Sequence, residues 1–184
     1  MASAPAPGDL EKVRQFVNTT NIEEGTDLLS DVAGMVEWFV ASGLLEAGGR
    51  ATRGDLEKAI RVREALRQTM LANNGDLENA EAALGELNDA AEAAKFSIIF
   101  CDTSEVQYRP NAAGIPGALG RLLSIVAGSM ADGTWSRLKA CANDGCQWAF
   151  YDHARNRSGK WCEMALCGNR LKARTYRARQ GAGA

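Results

Sequence analysis

Four cysteines fall within 27 residues, Cys141, Cys146, Cys162 and Cys167, in the pattern C-x4-C-x15-C-x4-C. Two cysteine pairs separated by a short spacer read as a four-thiolate zinc site. The alternative, a pair of disulfides, needs an oxidising compartment. The opening residues MASAPAPGDL have neither the basic nor the apolar stretch of a secretory signal, so they read as a short mobile tail and the compartment as reducing. A segment of about 44 residues cannot build much core of its own, so metal must replace it. Four protein ligands close the coordination shell of one structural Zn2+, leaving no open position for catalysis. The fifth cysteine, Cys101, ends the apolar run Phe96–Phe100 and reads as a buried, inert thiol.

Within the segment, Asn143-Asp144-Gly145 has the composition of a tight turn, with Gly145 letting the backbone bend beside the thiolates. Gln147 to Tyr151 has strand character, Arg155 to Gly159 reads as a turn, and Lys160-Trp161 returns to Cys162. The expectation is a hairpin between two metal knuckles, followed by a helix over 171–180. Positions 162 and 167 lie about 140° apart around a helix, so Cys162 must precede that helix and Cys167 sit at its first turn. The result is a treble-clef-like finger.

Charge divides the chain at the same place. Residues 1–136 carry 11 Lys and Arg against 20 Asp and Glu, a net of −9; residues 137–184 carry 10 against 3, a net of +7. A basic appendage on an acidic body points to a polyanion partner, most simply nucleic acid. Arg155, Arg157 and Lys160 crowd the turn of the finger. Arg170, Lys172, Arg174 and Arg177 follow the second knuckle, and Arg170, Arg174 and Arg177 share a helical face that can neutralise phosphates. Asn169 and Arg170 suit either base edges or bracing of the knuckle. Trp148 and Tyr151 could stack on RNA bases, whereas period-2 spacing favours Trp148 and Phe150 as core.

The remainder of the chain reads as mainly α with a small β-hairpin. Apolar residues recur at helical spacing over 10–18, 27–42 (Thr26-Asp27 at its start, Gly43 closing it), 55–72 (Asp55 as cap), 76–94 and 117–130. Phe96–Phe100 and Val106–Arg109 read as a hairpin. The domain layout expected is a tail over 1–9, a helical body over 10–134, a finger over 135–180 and a second tail over 181–184. No uninterrupted apolar stretch reaches the ~18 residues of a membrane span. No Ser/His/Asp or Cys/His arrangement can be assembled, since His153 is the single histidine, and no phosphate loop is present. An enzyme is therefore not expected.

From Cys141 onward the motifs C-A-N-x-x-C, W-x-F-Y-D, R-N-R-S, W-C-x-M and C-G-N-R followed by L-K-A-R resemble the CGNR zinc-finger family over about 138–179. The resemblance implies that the four cysteines bind zinc and that the finger binds DNA. Gly159, Glu163 and His153-Ala154 depart from the family pattern; Gly159 and Glu163 lower the positive charge near the turn. The body resembles the ABATE domain, associated with stress-induced transcription regulators. Phe16-Val17-Asn18-Thr19, Trp38 with Gly43-Leu44-Leu45, and Arg63-Glu64-Ala65-Leu66-Arg67 carry that likeness. Together the resemblances imply a cytoplasmic, nucleoid-associated regulator of bacterial type that binds double-stranded DNA. Its body would sense a small-molecule effector, with Asn18, Thr19 and Trp38 as pocket residues, or form a homodimer. A protein-interaction adaptor and an RNA-binding protein are the competing readings.

Overall fold

The computed structural model describes residues 4–101 and 106–169. The expected helix over 171–180, with Arg170, Lys172, Arg174 and Arg177, and the expected tail over 181–184 lie outside the described residues.

The fold is about half helical, with small antiparallel strand pairs. Helix α1 (Leu10–Val17) leads into a two-residue strand pair, β1 (Thr20–Asn21) and β2 (Thr26–Asp27). Helices α2 (Val32–Ala41), α3 (Arg53–Ala72) and α4 (Ala80–Ala94) follow. A hairpin of β3 (Phe96–Phe100) and β4 (Val106–Pro110) precedes α5 (Gly114–Ala131), and β5 (Leu138–Ala140) pairs with β6 (Ala149–Tyr151).

Several boundaries move for local reasons. Asp27 does not start α2. Its carboxylate accepts from the Leu29 N–H and from the Arg63 guanidinium, which holds it in β2. The N-cap is Asp31, whose Oδ1 accepts from the Gly34 N–H at 2.8 Å. Gly43 closes α2 as expected: at φ +71° it lets the N–H groups of Gly43 and Leu44 turn back to Val40 and Phe39. Asp55 is not the cap of α3 but the third residue of a capping box with Thr52. Helix α4 begins at Ala80, because Asp76 turns back to accept from the Glu78 N–H. Helix α5 begins earlier than expected, with Pro116 in its first turn, where a missing N–H costs no helical hydrogen bond.

The N-terminal residues 4–9 do not form a free tail. Ala6 is buried and donates its N–H to Glu11, and the Pro5 carbonyl lies 3.1 Å from His153 Nε2. Cys101 is exposed rather than buried, because β3 projects outward and leaves its neighbour Phe100 78% exposed. Helix α5 is long and apolar enough to cross a membrane by composition, but half of it is buried among the other helices.

One core runs through the body and into the finger. It contains Val13, Phe16 and Val17 of α1, Met35 and Phe39 of α2, Val62, Leu66 and Met70 of α3, and Leu119 and Leu122 of α5. Leu138, Ala140 and Ala149, on the strands that flank the first knuckle, belong to the same cluster and are fully buried. The expected finger hairpin is therefore displaced. β6 pairs with β5, ahead of the first knuckle, and Lys160 contributes only its carbonyl, which accepts from the Ala142 N–H. Truncating Leu138 opens a cavity in the shared core. Leu138→Ala is expected to lower the stability of the whole chain by about 2–5 kcal/mol in urea denaturation. A loss well below 1 kcal/mol would place the finger outside the body's core.

Candidate metal centre and the surface around it

The sulfur atoms of Cys141, Cys146, Cys162 and Cys167 all lie within 4.8 Å of one another. Cys146 Sγ to Cys162 Sγ is 3.6 Å and Cys162 Sγ to Cys167 Sγ is 3.8 Å. Disulfides require about 2.05 Å. Four sulfurs around a tetrahedral zinc with ~2.3 Å bonds stand about 3.8 Å apart, so the donor set fits that ion. Cys141, Cys146 and Cys167 are buried and Cys162 is half-buried. Trp148 and Trp161 pack against them in a second small cluster.

The backbone explains how each thiol is aimed. The Cys141 N–H donates to the Trp148 carbonyl, and the N–H groups of Cys146 and Gln147 both donate to Asn143. The sharp bend falls on Gln147 at φ +46°, not on Gly145. Cys162 precedes a single wide helical turn, Met164–Gly168, which carries Cys167. The Cys167 N–H donates to the Glu163 carbonyl. Asn143 also reaches across from the first knuckle, its Nδ2 lying 3.7 Å from Cys167 Sγ. Asn169, next to the turn, is exposed and donates its side-chain amide to the Ala165 carbonyl, the bracing alternative.

Protons alone cannot hold this cluster in its ligating state. Hydrogen bonds from Cys146 and then Cys162 hold the Cys141 thiol down to about 2. The same contact with Cys141 pushes Cys146 up to about 12, and it pushes Cys162 further up. One thiolate is stabilised at the expense of its neighbours; a divalent cation is what allows all to ionise together.

The loop after β6 carries Arg155, Arg157 and Lys160, all exposed. A buried ion pair that sequence patterns did not single out holds it. Lys139 of β5 donates from Nζ to Asp152 Oδ2 at 2.8 Å, and to the carbonyls of Arg157 and Gly159. Asp152 accepts in return from the N–H groups of Ala154 and Gly159. Burial opposes ionisation of Asp152, but the Lys139 ammonium and these N–H groups outweigh it and hold its carboxyl below the usual range. Gly159 is required there, since a side chain would meet the Asp152 carboxylate at 2.9 Å. Arg137 braces the loop from outside through the Asp152 and Ala154 carbonyls. Asp152 closes the W-x-F-Y-D motif, but nothing in the sequence assigned it a partner, and Lys139 was only a charge beside strand-like residues, indistinguishable from a solvated face.

Polar side chains of α1 and the α3 end fasten this region to the body. The Asn18 amide donates to the Ala149 carbonyl and accepts from its N–H, at 2.9 and 2.8 Å. Arg67, 1% exposed, donates to the carbonyls of Val17 and Gln147 and to Glu64. Asn73 donates to the carbonyls of Trp135 and Leu138, and Asn74 to those of Ala140 and Lys160.

Among the residues read as an effector pocket, Asn18 and Trp38 line a cleft of about 270 Å³ that also touches Arg14, Gln15, Leu28 and Trp148. Trp38 packs on Phe16 and Phe39 with ring centroids 5.2 Å away. Thr19 is buried beneath, bonded to the Phe16 carbonyl and to Arg63.

A four-thiolate cluster of this kind on a helical body defines a zinc-finger protein. Residues 137–180 match the CGNR zinc finger model, and residues 13–133 match the ABATE model, described as a putative stress-induced transcription regulator. The chain belongs to the ABATE family and carries a CGNR zinc finger. Both descriptions are of regulatory and zinc-finger modules rather than of enzymes. No curated protein matches the chain significantly.

Two outcomes follow from this geometry. Cys167→Ser is expected to lower zinc from one ion per chain toward none by elemental analysis; a variant that keeps a full complement excludes Cys167 as a ligand. Asp152→Ala strands a buried ammonium and is expected to cost roughly 3–5 kcal/mol at neutral pH. Because the folded carboxyl titrates below its ordinary value, its stabilisation is complete above about pH 4 and fades as pH falls through the folded value. The gap between Asp152→Ala and the wild type in chemical denaturation therefore narrows on acidification. A gap that is constant with pH contradicts the ionic role.

Proposed function

We infer that this protein is a cytoplasmic transcription regulator that binds double-stranded DNA through its zinc finger. The observation that carries this reading is the exposed loop of Arg155, Arg157 and Lys160, held rigid by the buried Lys139–Asp152 pair and anchored beside the four cysteines. Cations on a preorganised loop lose little conformational entropy when they meet phosphates. Arg170, Lys172, Arg174 and Arg177 extend the same basic sequence beyond the second knuckle, with the polar Asn169 just ahead of them. The zinc would supply no chemistry beyond structure; its four thiolate ligands would be Cys141, Cys146, Cys162 and Cys167.

DNA is favoured over RNA by the state of the aromatics. Stacking on unpaired bases needs free ring faces. Trp148 packs against the cysteines, Phe150 is buried, and Tyr151 lies against His153. We assign effector sensing to the cleft between Trp38 of the body and Trp148 of the finger, a reading supported by Asn18 and Trp38 both lining it. Thr19 drops out of that proposal because it is buried.

Duplex DNA titrated with the zinc-loaded chain over a range of salt tests the reading. Each phosphate contact contributes a slope of about 0.9 in log affinity against log salt. Arg155→Ala and Lys160→Ala should each weaken binding and lower the slope by about one contact, with zinc content unchanged. Affinity and slope equal to the wild type in both variants would remove this loop from the interface. Binding that is indifferent to salt would favour the adaptor reading.

A further inference from the structure

The loop over 152–160 shows cations to solvent and turns much of its acceptor chemistry inward. The carbonyls of Arg157 and Gly159 accept from Lys139 Nζ, at 2.6 and 3.0 Å. Those of Asp152 and Ala154 accept from the Arg137 guanidinium, at 2.9 and 3.0 Å. The Lys160 carbonyl is taken by the Ala142 N–H and the Asn74 amide. The Asp152 carboxylate is buried and matched by Lys139, and the Asn156 side-chain oxygen accepts from the Ser158 N–H. Arg155, Arg157 and Lys160 are exposed, and their side chains have no partner among the described residues. Arginines of the body such as Arg14, Arg63 and Arg67 are instead paired with carboxylates.

The loop is also narrow and fixed in shape. The Arg157 N–H donates to the Ala154 carbonyl at 3.1 Å, which closes a β-turn with Arg155 and Asn156 at its apex. The ends of such a turn stand less than about 7 Å apart. Arg157 takes φ +53°, a left-handed conformation that costs a residue with a side chain energy and persists where the surroundings enforce it. The bond from Lys139 to its carbonyl holds it there.

A single turn does not fill the major groove of duplex DNA, which is about 12 Å wide and admits a helix or a β-ribbon. The minor groove is about 6 Å wide. Over A/T-rich sequence it narrows further, and its deeper negative potential draws in arginine. We propose that Arg157 enters the minor groove of A/T-rich DNA while Arg155 and Lys160, on either side of it in the loop, meet the phosphates of the groove walls. This rests on the DNA-binding reading above and specifies what that interface recognises. Guanidinium is more weakly hydrated than ammonium, so arginine loses less than lysine on leaving water for a groove floor. In a G·C pair the 2-amino group of guanine stands on that floor and opposes a cationic donor; in an A·T pair only acceptors are present. Lys139 and Asp152 act through Arg157 as positioning residues, holding its backbone while its side chain stays available.

Fluorescence anisotropy with the full zinc-loaded chain compares three duplexes of equal length, with A·T, G·C or inosine·C cores. Inosine·C keeps the major-groove edge of G·C but lacks the 2-amino group in the minor groove. The A·T and inosine·C duplexes should bind alike, and roughly tenfold tighter than G·C. Arg157→Lys keeps the charge, so the salt slope should equal that of the wild type while the preference for inosine·C over G·C falls toward one. Arg155→Lys should leave that preference intact. Both substitutions fall on exposed side chains and should leave zinc content and helical signal unchanged. Equal affinity for G·C and inosine·C overturns this inference and, with the salt slope intact, leaves DNA binding standing. A preference that survives Arg157→Lys overturns it too. A chain that shows no salt-dependent binding to any of the three duplexes removes the DNA-binding reading along with it.

Discussion

The buried guanidinium of Arg67 connects the parts of this molecule that sequence order keeps apart. A buried charge is tolerated only when its donors are matched. Here they reach the end of α1 through the Val17 carbonyl, α3 itself through Glu64, and the finger through the carbonyl of Gln147. Gln147 directly follows Cys146, so the metal cluster fixes the position of an acceptor that α3 depends on. Asn18, Asn73 and Asn74 repeat the device at other finger carbonyls. With Leu138, Ala140 and Ala149 in the common core, the finger is an extension of the body rather than an appendage on a linker.

A zinc held by these residues would have two consequences. Locally, it would gather the four cysteines, of which Cys141, Cys146 and Cys162 otherwise compete for protons. At longer range, it would fix β5, which bears Lys139, and β6, which leads into Asp152, and so the shape of the basic loop. The path from metal to Arg155 and Lys160 runs through packed side chains and hydrogen bonds within one small region. The cleft between Trp38 and Trp148 lies across the same seam, where a bound molecule would touch both body and finger.

The cysteine spacing made the metal centre legible in the sequence, because four thiols in that pattern have few other uses. The major helices were legible from apolar spacing, and their errors lie at the ends. Asp27 and Asp55 have the chemistry of caps, but a distant arginine claims the first and a better-placed threonine precedes the second. The pairing of β5 with β6 was not legible, since three-residue strands carry too little pattern to choose a partner. Asn18 lines the cleft beside Trp38, but its second role, fastening the finger, was not legible, because an amide beside an aromatic gives no sign of a partner 131 residues away. The exposure of Cys101 was also hidden: an apolar strand reads as buried whether or not its own chain covers it.

The shared core and the hydrogen bonds that cross it make body and finger one cooperative unit, which zinc would close. Differential scanning calorimetry of the zinc-loaded chain reads that cooperativity. One unit gives a single transition whose calorimetric and van't Hoff enthalpies agree. Two resolved transitions, with the helical signal persisting through the first, would contradict it and return the finger to the status of an independent module.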